Sequence, residues 1–282
     1  MGKIYTHASK AHADEMLACA ILLAVHPEES FEIHRVFGEK DLPQDLGERD
    51  FIVDIGMSHD GERRFDHHQE DGDVQGHCAA TLVAKRFAPK LPEDPAWRDF
   101  LGRVSTQDNH GIKAVEESFG GARLGSLLML EWKLVSQFEK SPLAIATLVS
   151  EMIKDSLNHI ETVEIAKFWV SQNTQVVMVG QVKALVLHHD PRIDGVDPAA
   201  VNAATGAMLD REGIHVSVSF DPRNPAGEVR TVFRTRNGEG VLDFNFARPS
   251  NPVFCHKAGF LLNFVPQDER EWEQIVSDSI VG

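Results

Sequence analysis

The run Asp66-His67-His68, which follows a short apolar segment at residues 50–56, limits the folds that this 282-residue chain can adopt. That segment predicts a buried strand ending at Asp54. Side chains alternate along a strand with a period of two, so three neighbours within a strand cannot all point into one site. The triplet therefore belongs at a strand end or in a loop, where open α/β sheets place their ligand sites.

A second segment with the same organisation begins the chain. Residues 3–6 predict a first strand, and the apolar residues 16–25 predict a helix packed against the sheet. His7, His12 and Asp14 lie between the two. By itself the later triplet indicates only an exposed polar turn. Two segments that bring histidines and carboxylates to one sheet edge favour a site for divalent metal ions.

The order of these motifs resembles the DHH phosphoesterase superfamily. The pattern is His7-x4-His12-x-Asp14-Glu15, Val53-Asp54-x-Gly56, Asp66-His67-His68-Gln69 and Asp108-Asn109. More narrowly, the chain is similar to the melanocyte-proliferating-gene (Myg) type proteins, in which histidine stands where most relatives have the first aspartate. The resemblance covers residues 7–109 with all four motifs in order, and it covers the second half of the chain more weakly.

The predicted fold class is α/β. Strand and helix patterns alternate through residues 31–36 and 79–87, which predicts a parallel sheet with helices on its faces. A further helix is predicted at residues 96–106, ending just before Asp108. From residue 175 onward, short strand patterns are separated by Gly, Pro and Asn, which indicates a second, smaller α+β domain.

These patterns predict three parts of the chain: a DHH-type metal-binding catalytic domain at residues 1–150, a linker helix at residues 151–174 and a substrate-binding α+β domain at residues 175–282. The resemblance implies that the active site lies in the cleft between the two domains.

The resemblance also implies two divalent ions that share Asp54 as a bridging ligand. The implied metal ligands are His7, His12 and Asp54 for one ion, and Asp14, Asp54, His67 and Asp108 for the other. Imidazole ligands favour Mn²⁺, with Mg²⁺ and Co²⁺ as alternatives. Asp66 is expected to orient the adjacent histidines without binding metal itself.

The candidate catalytic residues are Asp54 and His68. Two ions that share Asp54 would activate a water for in-line attack on phosphorus. His68, next to the implied ligand His67, is expected to hydrogen-bond the scissile phosphate or to protonate the leaving oxygen.

In the second half, residues 233–236 and 254–260 resemble the substrate-binding domain of DHH proteins, and they make Arg234 and His256 candidate substrate-binding residues. A departure from that pattern lies at residues 251–255, which replace a run of glycines. Arginines also occur commonly on exposed edge strands. His256 fits a core histidine under Phe260 equally well.

Other polar residues have a plainer interpretation or none. The run His188-His189-Asp190 is interpreted as a polar turn, and the roles of His77, Asn109, His110, Arg236 and Lys257 are unassigned.

Charge limits the substrate class. The net charge of -15, from 43 acidic and 28 basic residues, disfavours long duplex nucleic acid but allows short oligonucleotides. No apolar run approaches the roughly 18 residues of a membrane span. Three cysteines without metal-type pairing and the lack of a signal peptide predict a cytoplasmic protein. A homodimer is left open.

Three functions are consistent with the sequence. The first is a Mn²⁺-dependent phosphodiesterase that acts on short RNA or DNA as a 3′-5′ exonuclease, which is the activity of Myg-type relatives. The second is a hydrolase of a small phosphate compound such as a cyclic dinucleotide, a nucleoside bisphosphate or pyrophosphate. The third is a metal-stabilised binding protein without turnover.

Overall fold

Four parallel strands build the sheet of the N-terminal half. In the computed structural model they are β1 (Gly2–His7), β2 (Phe31–Val36), β3 (Phe51–Val53) and β4 (Arg64–Phe65), and they lie in the order β2-β1-β3-β4. The structure describes residues 1–69, 72–120, 124–211, 213–224 and 226–281. The carboxyl ends of parallel strands meet at one edge, so β1, β3 and β4 deliver the residues that follow them to the same place.

Five helices accompany this sheet in the described residues: α1 (Ala13–Val25), α2 (Ala79–Phe87), α3 (Pro95–Phe119), α4 (Leu124–Lys140) and α5 (Pro142–Asn173). Helix α1 is apolar nearly all round and is buried along most of its length. It packs on α2 and on the sheet, within one core that also includes Phe65 and Phe138.

Helix α3 is longer than the sequence pattern predicts. It continues past Thr106, and its backbone leaves helical geometry at Gly111, where φ is 78°. Residues 107–110 are polar but able to form helix, so the first position that favours a break is this glycine. Asp108 therefore lies inside the helix, just before the kink.

The C-terminal half contains a separate six-stranded sheet. Its strands are β5 (Thr174–Val179), β6 (Val182–Leu187), β7 (Val216–Phe220), β8 (Arg230–Arg234), β9 (Pro252–Cys255) and β10 (Leu261–Phe264), in the order β5-β6-β7-β8-β10-β9. Only β6 and β7 pair in parallel among these described strands. Helix α6 (Pro198–Arg211) joins β6 to β7, and α7 (Glu271–Asp278) packs its Trp272 and Ile275 into the core of this sheet.

The predicted fold class is confirmed: an N-terminal parallel sheet and a separate C-terminal domain built on a sheet. The chain divides into two compact units, Met1–Ile160 and Glu161–Gly282. The division falls inside α5. No helix in the described part of the chain is long and apolar enough to cross a membrane.

Candidate metal centre

Histidines and carboxylates converge at the carboxyl edge of the N-terminal sheet. His7 ends β1, Asp54 follows β3 directly, and residues 66–68 follow β4. His12 is the N-cap of α1, so Asp14 lies in the first turn of that helix. The sequence motifs thus reach one place because each lies just beyond the end of a neighbouring strand.

The first group of ligand atoms comes from His7, His12, Glu15 and Asp54, whose donor atoms all lie within 4.8 Å of one another. His7 Nε2 lies 3.0 Å from Asp54 Oδ2 and 3.3 Å from Glu15 Oε1. The rings of His7 and His12 are 5.6 Å apart between centroids. His12 is exposed, whereas Glu15 and Asp54 are buried, so the group opens toward solvent on one side.

The second group comes from Asp14, His67 and Asp108, and a third, formed by Asp54, His67 and His68, links it to the first. His67 Nε2 lies 2.8 Å from Asp108 Oδ2 and 3.7 Å from Asp14 Oδ2. The same nitrogen lies 3.4 Å from Asp54 Oδ1. Asp54 therefore faces the first group with Oδ2 and the second with Oδ1.

Asp54 holds this position through an unusual backbone conformation. Its φ is 56°, in the left-handed region that side chains other than glycine seldom adopt. Gly56 and Met57 also have positive φ, of 103° and 49°. Such strained turns concentrate at functional sites, where they re-aim a side chain. Here the turn directs the Asp54 carboxylate back between the two groups.

Asp66 is buried and supports this turn. Its Oδ2 accepts a hydrogen bond from Met57 N at 2.7 Å. Its Oδ1 accepts from the backbone N of His68 at 3.0 Å and lies 2.6 Å from His68 Nδ1. Asp66 belongs to none of the ligand groups found in the described residues. It therefore fixes the ring orientation of His68, whose side chain is 54% exposed.

Asp14 has a second role that the sequence pattern did not reveal. Its Oδ2 accepts a hydrogen bond from Ala79 N at 3.0 Å, and its Oδ1 accepts from Ala80 N at 2.7 Å. Both donors are backbone N–H groups in the first turn of α2, which have no acceptor within the helix. One carboxylate thus caps α2 while it lies beside His67.

Glu15 is a member of the first group that sequence analysis missed, because an acid in the first turn of a helix looks like an ordinary favourable charge. Glu15 Oε2 accepts from His12 N at 2.8 Å. Arg35, from β2, lies 3.8 Å from Glu15 Oε1 and donates from Nε to the carbonyl of His7 at 3.1 Å. The fold alone buries Glu15 fully and places Arg35 beside it.

The donor set fits divalent cations. Four buried atoms in the two groups lie 2.8–3.4 Å from neighbouring ligand atoms but make no hydrogen bond of normal geometry in the described residues: Glu15 Oε1, Asp54 Oδ1, His67 Nε2 and Asp108 Oδ2. Buried polar atoms normally have a partner, so several of them converging on one space indicate a ligand there. Carboxylate oxygens and imidazole nitrogens together suit Mn²⁺, Fe²⁺ and Zn²⁺.

The metal-free chain compensates its buried acids with protonated histidines. Burial disfavours the charged form of His7, but hydrogen bonds with Asp54 and Glu15 outweigh burial and raise its pKa to about 10. Burial likewise opposes the charged form of His67, while Asp108 and Asp54 raise its pKa to about 10. Burial raises the pKa of Asp54, but the adjacent His67 and His7 outweigh burial and lower it to about 2. Burial and the neighbouring acids Asp54 and Asp108 raise the pKa of Asp14.

A cleft of about 850 Å³ lies over the two groups. His7, His12, Asp54, His67, His68 and Asp108 contribute to its walls, together with residues 37–39 and 55–57. A volume in this range accommodates a nucleotide-sized ligand.

The two candidate residues of the C-terminal unit are engaged in local contacts. Arg234 is half-buried, and its Nη1 donates to the carbonyl of Leu242 at 2.5 Å. His256 is half-buried, stacks on Phe260 with ring centroids 4.2 Å apart, and its Nδ1 accepts from Ala258 N at 3.1 Å. These contacts do not test the predicted substrate-binding roles of Arg234 and His256.

The unassigned residues fall into different settings. Asn109 lines the cleft and donates from Nδ2 to the carbonyls of His77 and Ser105, each at 2.9 Å. Arg236 and Lys257 are exposed. In the run at residues 188–190, both histidines are exposed and Asp190 caps a short 3₁₀ helix (Pro191–Asp194), which agrees with a polar turn.

Comparison with known sequences finds similarity in the part of the chain that carries these ligands. The profile of the family described as MYG1_exonuc, Uncharacterised protein family (UPF0160), matches residues 3–88. A MYG1 protein of Schizosaccharomyces pombe is 41% identical over 69 residues, which are 24% of this chain and 20% of that protein.

The MYG1 exonucleases of Bos taurus and Homo sapiens are each 41% identical over 68 residues, 24% of this chain and 17% of those proteins. The matching segment thus spans a fifth or less of the length of these curated relatives. Among solved structures, a pGpG-specific phosphodiesterase of Vibrio cholerae aligns over 99% of this chain and 100% of its own, with 15% sequence identity and a TM-score of 0.33. A TM-score this low carries no argument about function.

Proposed function

We propose that this protein is a Mn²⁺-dependent phosphoester hydrolase that cleaves short oligonucleotides, RNA or DNA, as a 3′-5′ exonuclease. The observation that carries the proposal is the chain of three ligand groups in the described residues, of which two share Asp54 and two share His67, each with donor atoms within 4.8 Å of one another. The sequence similarity to MYG1 exonucleases supports the substrate class, because the family profile spans five of the six proposed ligands, from His7 to His67. The activity of those relatives belongs to longer chains, so its transfer to this chain is part of the proposal.

In this proposal the protein holds two divalent cations. His7, His12 and Asp54 bind one, with Glu15 beside it, and Asp14, Asp54, His67 and Asp108 bind the other. When bound, the pair supplies positive charge that stabilises the phosphoryl oxygens and favours deprotonation of an attacking water. Mn²⁺ suits the mixture of imidazole and carboxylate better than Mg²⁺ does.

The remaining residues of the cleft have distinct tasks. His68 is exposed to the cleft and is oriented by Asp66, which also raises its pKa. A protonated imidazole in this position can donate to a non-bridging phosphate oxygen or pass a proton to the leaving oxygen. Arg234 and His256 are proposed to bind the distal part of the substrate.

The test is a release assay with purified protein and Mn²⁺. Bis-p-nitrophenyl phosphate, pyrophosphate and short RNA labelled at its 3′ or 5′ end are offered in parallel, with Asp54→Asn as the control. We expect stepwise loss of nucleotides from the 3′ end, absent in the control. Cleavage of pyrophosphate alone would replace the exonuclease assignment by a small-phosphate hydrolase. Two bound metal ions without any cleavage would leave only a metal-stabilised binding protein.

A further inference from the structure

A second pocket, of about 510 Å³, borders the loop at residues 76–77. Helices α2 and α3 form its walls. Every ionisable side chain that lines it, among the described residues, is basic: His77, Lys85, Arg98 and His110. The chain has a net charge of -15, so a pocket whose ionisable lining residues are all basic differs in charge from the rest of the protein. Such a pocket attracts anions.

The rest of the pocket wall is apolar or carries hydroxyl groups. Two exposed prolines, Pro89 and Pro92, present carbon surface, and Thr81, Ser105 and Thr106 bring oxygens. A ligand that fits both surfaces has a flat ring and a phosphate, as a nucleotide does in its base and its phosphate. The volume lies in the range typical of small-ligand sites.

The cations at the rim are available to such a ligand. Lys85 is exposed, and the Arg98 side chain is 60% exposed, with Asp99 at 3.7 Å as its one ion-pair partner in the described residues. His77 lies deeper. Its Nδ1 is 3.2 Å from Thr81 Oγ1, and that hydroxyl already donates to the carbonyl of Cys78, so His77 Nδ1 is the donor in the pair. Burial and the charge of Lys85 lower the pKa of His77.

A hydrogen bond connects the lining of the pocket to a residue of the metal cleft. Ser105 Oγ donates to the carbonyl of Gly76 at 3.0 Å, and Asn109 Nδ2 donates to the carbonyl of His77 at 2.9 Å. Asn109 faces the cleft, while the next residue, His110, lines the pocket. Successive residues of α3 therefore pass from the proposed metal ligand Asp108 to the basic pocket.

We infer that this pocket is a subsite for the nucleotide next to the scissile phosphate, with Lys85 and Arg98 binding its phosphate and Pro89 and Pro92 packing against its base. The inference rests on the proposed oligonucleotide hydrolase activity. It accounts for a substrate longer than one nucleotide, because the metal cleft and the pocket each accommodate one unit.

The test compares Lys85→Ala and Arg98→Ala with Lys90→Ala in the full-length protein. Lys90 is an exposed lysine five positions along the chain that does not line the pocket. Binding of adenosine 5′-monophosphate is measured by calorimetry. With Mn²⁺ present, KM and kcat are measured for a short RNA and for bis-p-nitrophenyl phosphate, which has no flanking nucleotide.

We expect each pocket variant to weaken mononucleotide binding and to raise the KM for RNA about tenfold or more, the loss expected for one charge-assisted hydrogen bond. Kinetics with bis-p-nitrophenyl phosphate and all properties of Lys90→Ala should match wild type. Unchanged mononucleotide binding in both pocket variants would overturn the site.

Weaker mononucleotide binding with an unchanged KM for RNA would overturn its place in substrate binding. If wild-type protein cleaves nothing but the variants still lose mononucleotide binding, the proposed hydrolase fails while the nucleotide pocket stands.

Discussion

Asp14→Asn separates the two roles that the structure gives to one carboxylate. Asp14 caps α2 through hydrogen bonds from Ala79 N and Ala80 N, and it lies in the ligand group with His67 and Asp108. Asparagine keeps one acceptor oxygen and replaces the other with an NH₂ group. It therefore leaves one buried N–H without a partner and removes one charged metal ligand.

Each loss has a separate magnitude. An unpaired buried donor costs about 1–3 kcal/mol of unfolding free energy in the metal-free protein. An ion present at 100 times its dissociation constant stabilises the folded state by about 2.7 kcal/mol. The variant should lose this gain for one of the two ions. For a unit of this size, that corresponds to roughly 5–10 °C less of the Mn²⁺-induced rise in Tm.

The assay is thermal unfolding followed by circular dichroism, with excess EDTA or with Mn²⁺. The matched control is Asp94→Asn. Asp94 also caps a helix, accepting from Ala96 N at 2.9 Å, but it belongs to neither ligand group. Asparagine caps helices about as well as aspartate, so this control should keep both its metal-free Tm and its full Mn²⁺-induced rise.

Asp14 is not a metal ligand if Asp14→Asn shows the wild-type rise in Tm with Mn²⁺. Asp14 would then be only a cap of α2. Equal losses of the rise in Asp14→Asn and Asp94→Asn would refute metal binding by Asp14 as well, because the effect would not depend on the metal centre.

Three further perturbations test other parts of the molecule. His68→Gln is expected to lower kcat for bis-p-nitrophenyl phosphate by about 10²–10⁴-fold, because its proton donor is lost, and steady-state kinetics with an unchanged kcat would contradict this role. Phe138→Ala removes a fully buried ring and should cost about 3–5 kcal/mol in urea unfolding of the N-terminal unit; a negligible loss would contradict its core position. Hydrogen bonds from Arg223 outweigh burial and lower the pKa of Asp221, so its contribution to stability is present above about pH 4 and is lost as the pH falls further. Asp221→Asn should therefore flatten the loss of stability in acid, and unfolding curves with the wild-type pH dependence would count against it.

Much of the fold followed from local patterns. The strand pattern at residues 31–36 and the helix pattern at residues 79–87 coincide with β2 and α2. Hydrophobic periodicity is set by which face of each element is buried, and this information is contained within a few neighbouring residues. The predicted end of α3 is wrong, because the polar residues around Asp108 favour a helix end in the sequence pattern, whereas the backbone of α3 leaves helical geometry at Gly111.

The candidate site was predictable in composition but not in arrangement. Consecutive polar ligands after apolar strands identified His7, Asp54 and His67 as residues that reach one sheet edge. Their distances and the second use of Asp14 as a cap for Ala80, 66 residues away, depend on how α1 and α2 pack together. The same packing brings Glu15 into the first group.

The sequence by itself therefore determined which elements form and which residue types gather at the carboxyl edge of the parallel sheet, since both depend on short-range patterning. The tertiary structure alone decided that Asp54 turns with a left-handed backbone to face two ligand groups, and that α2 and α3 enclose a basic pocket beside them. Residues distant in sequence make these features, and their packing is fixed only when the whole N-terminal core has formed.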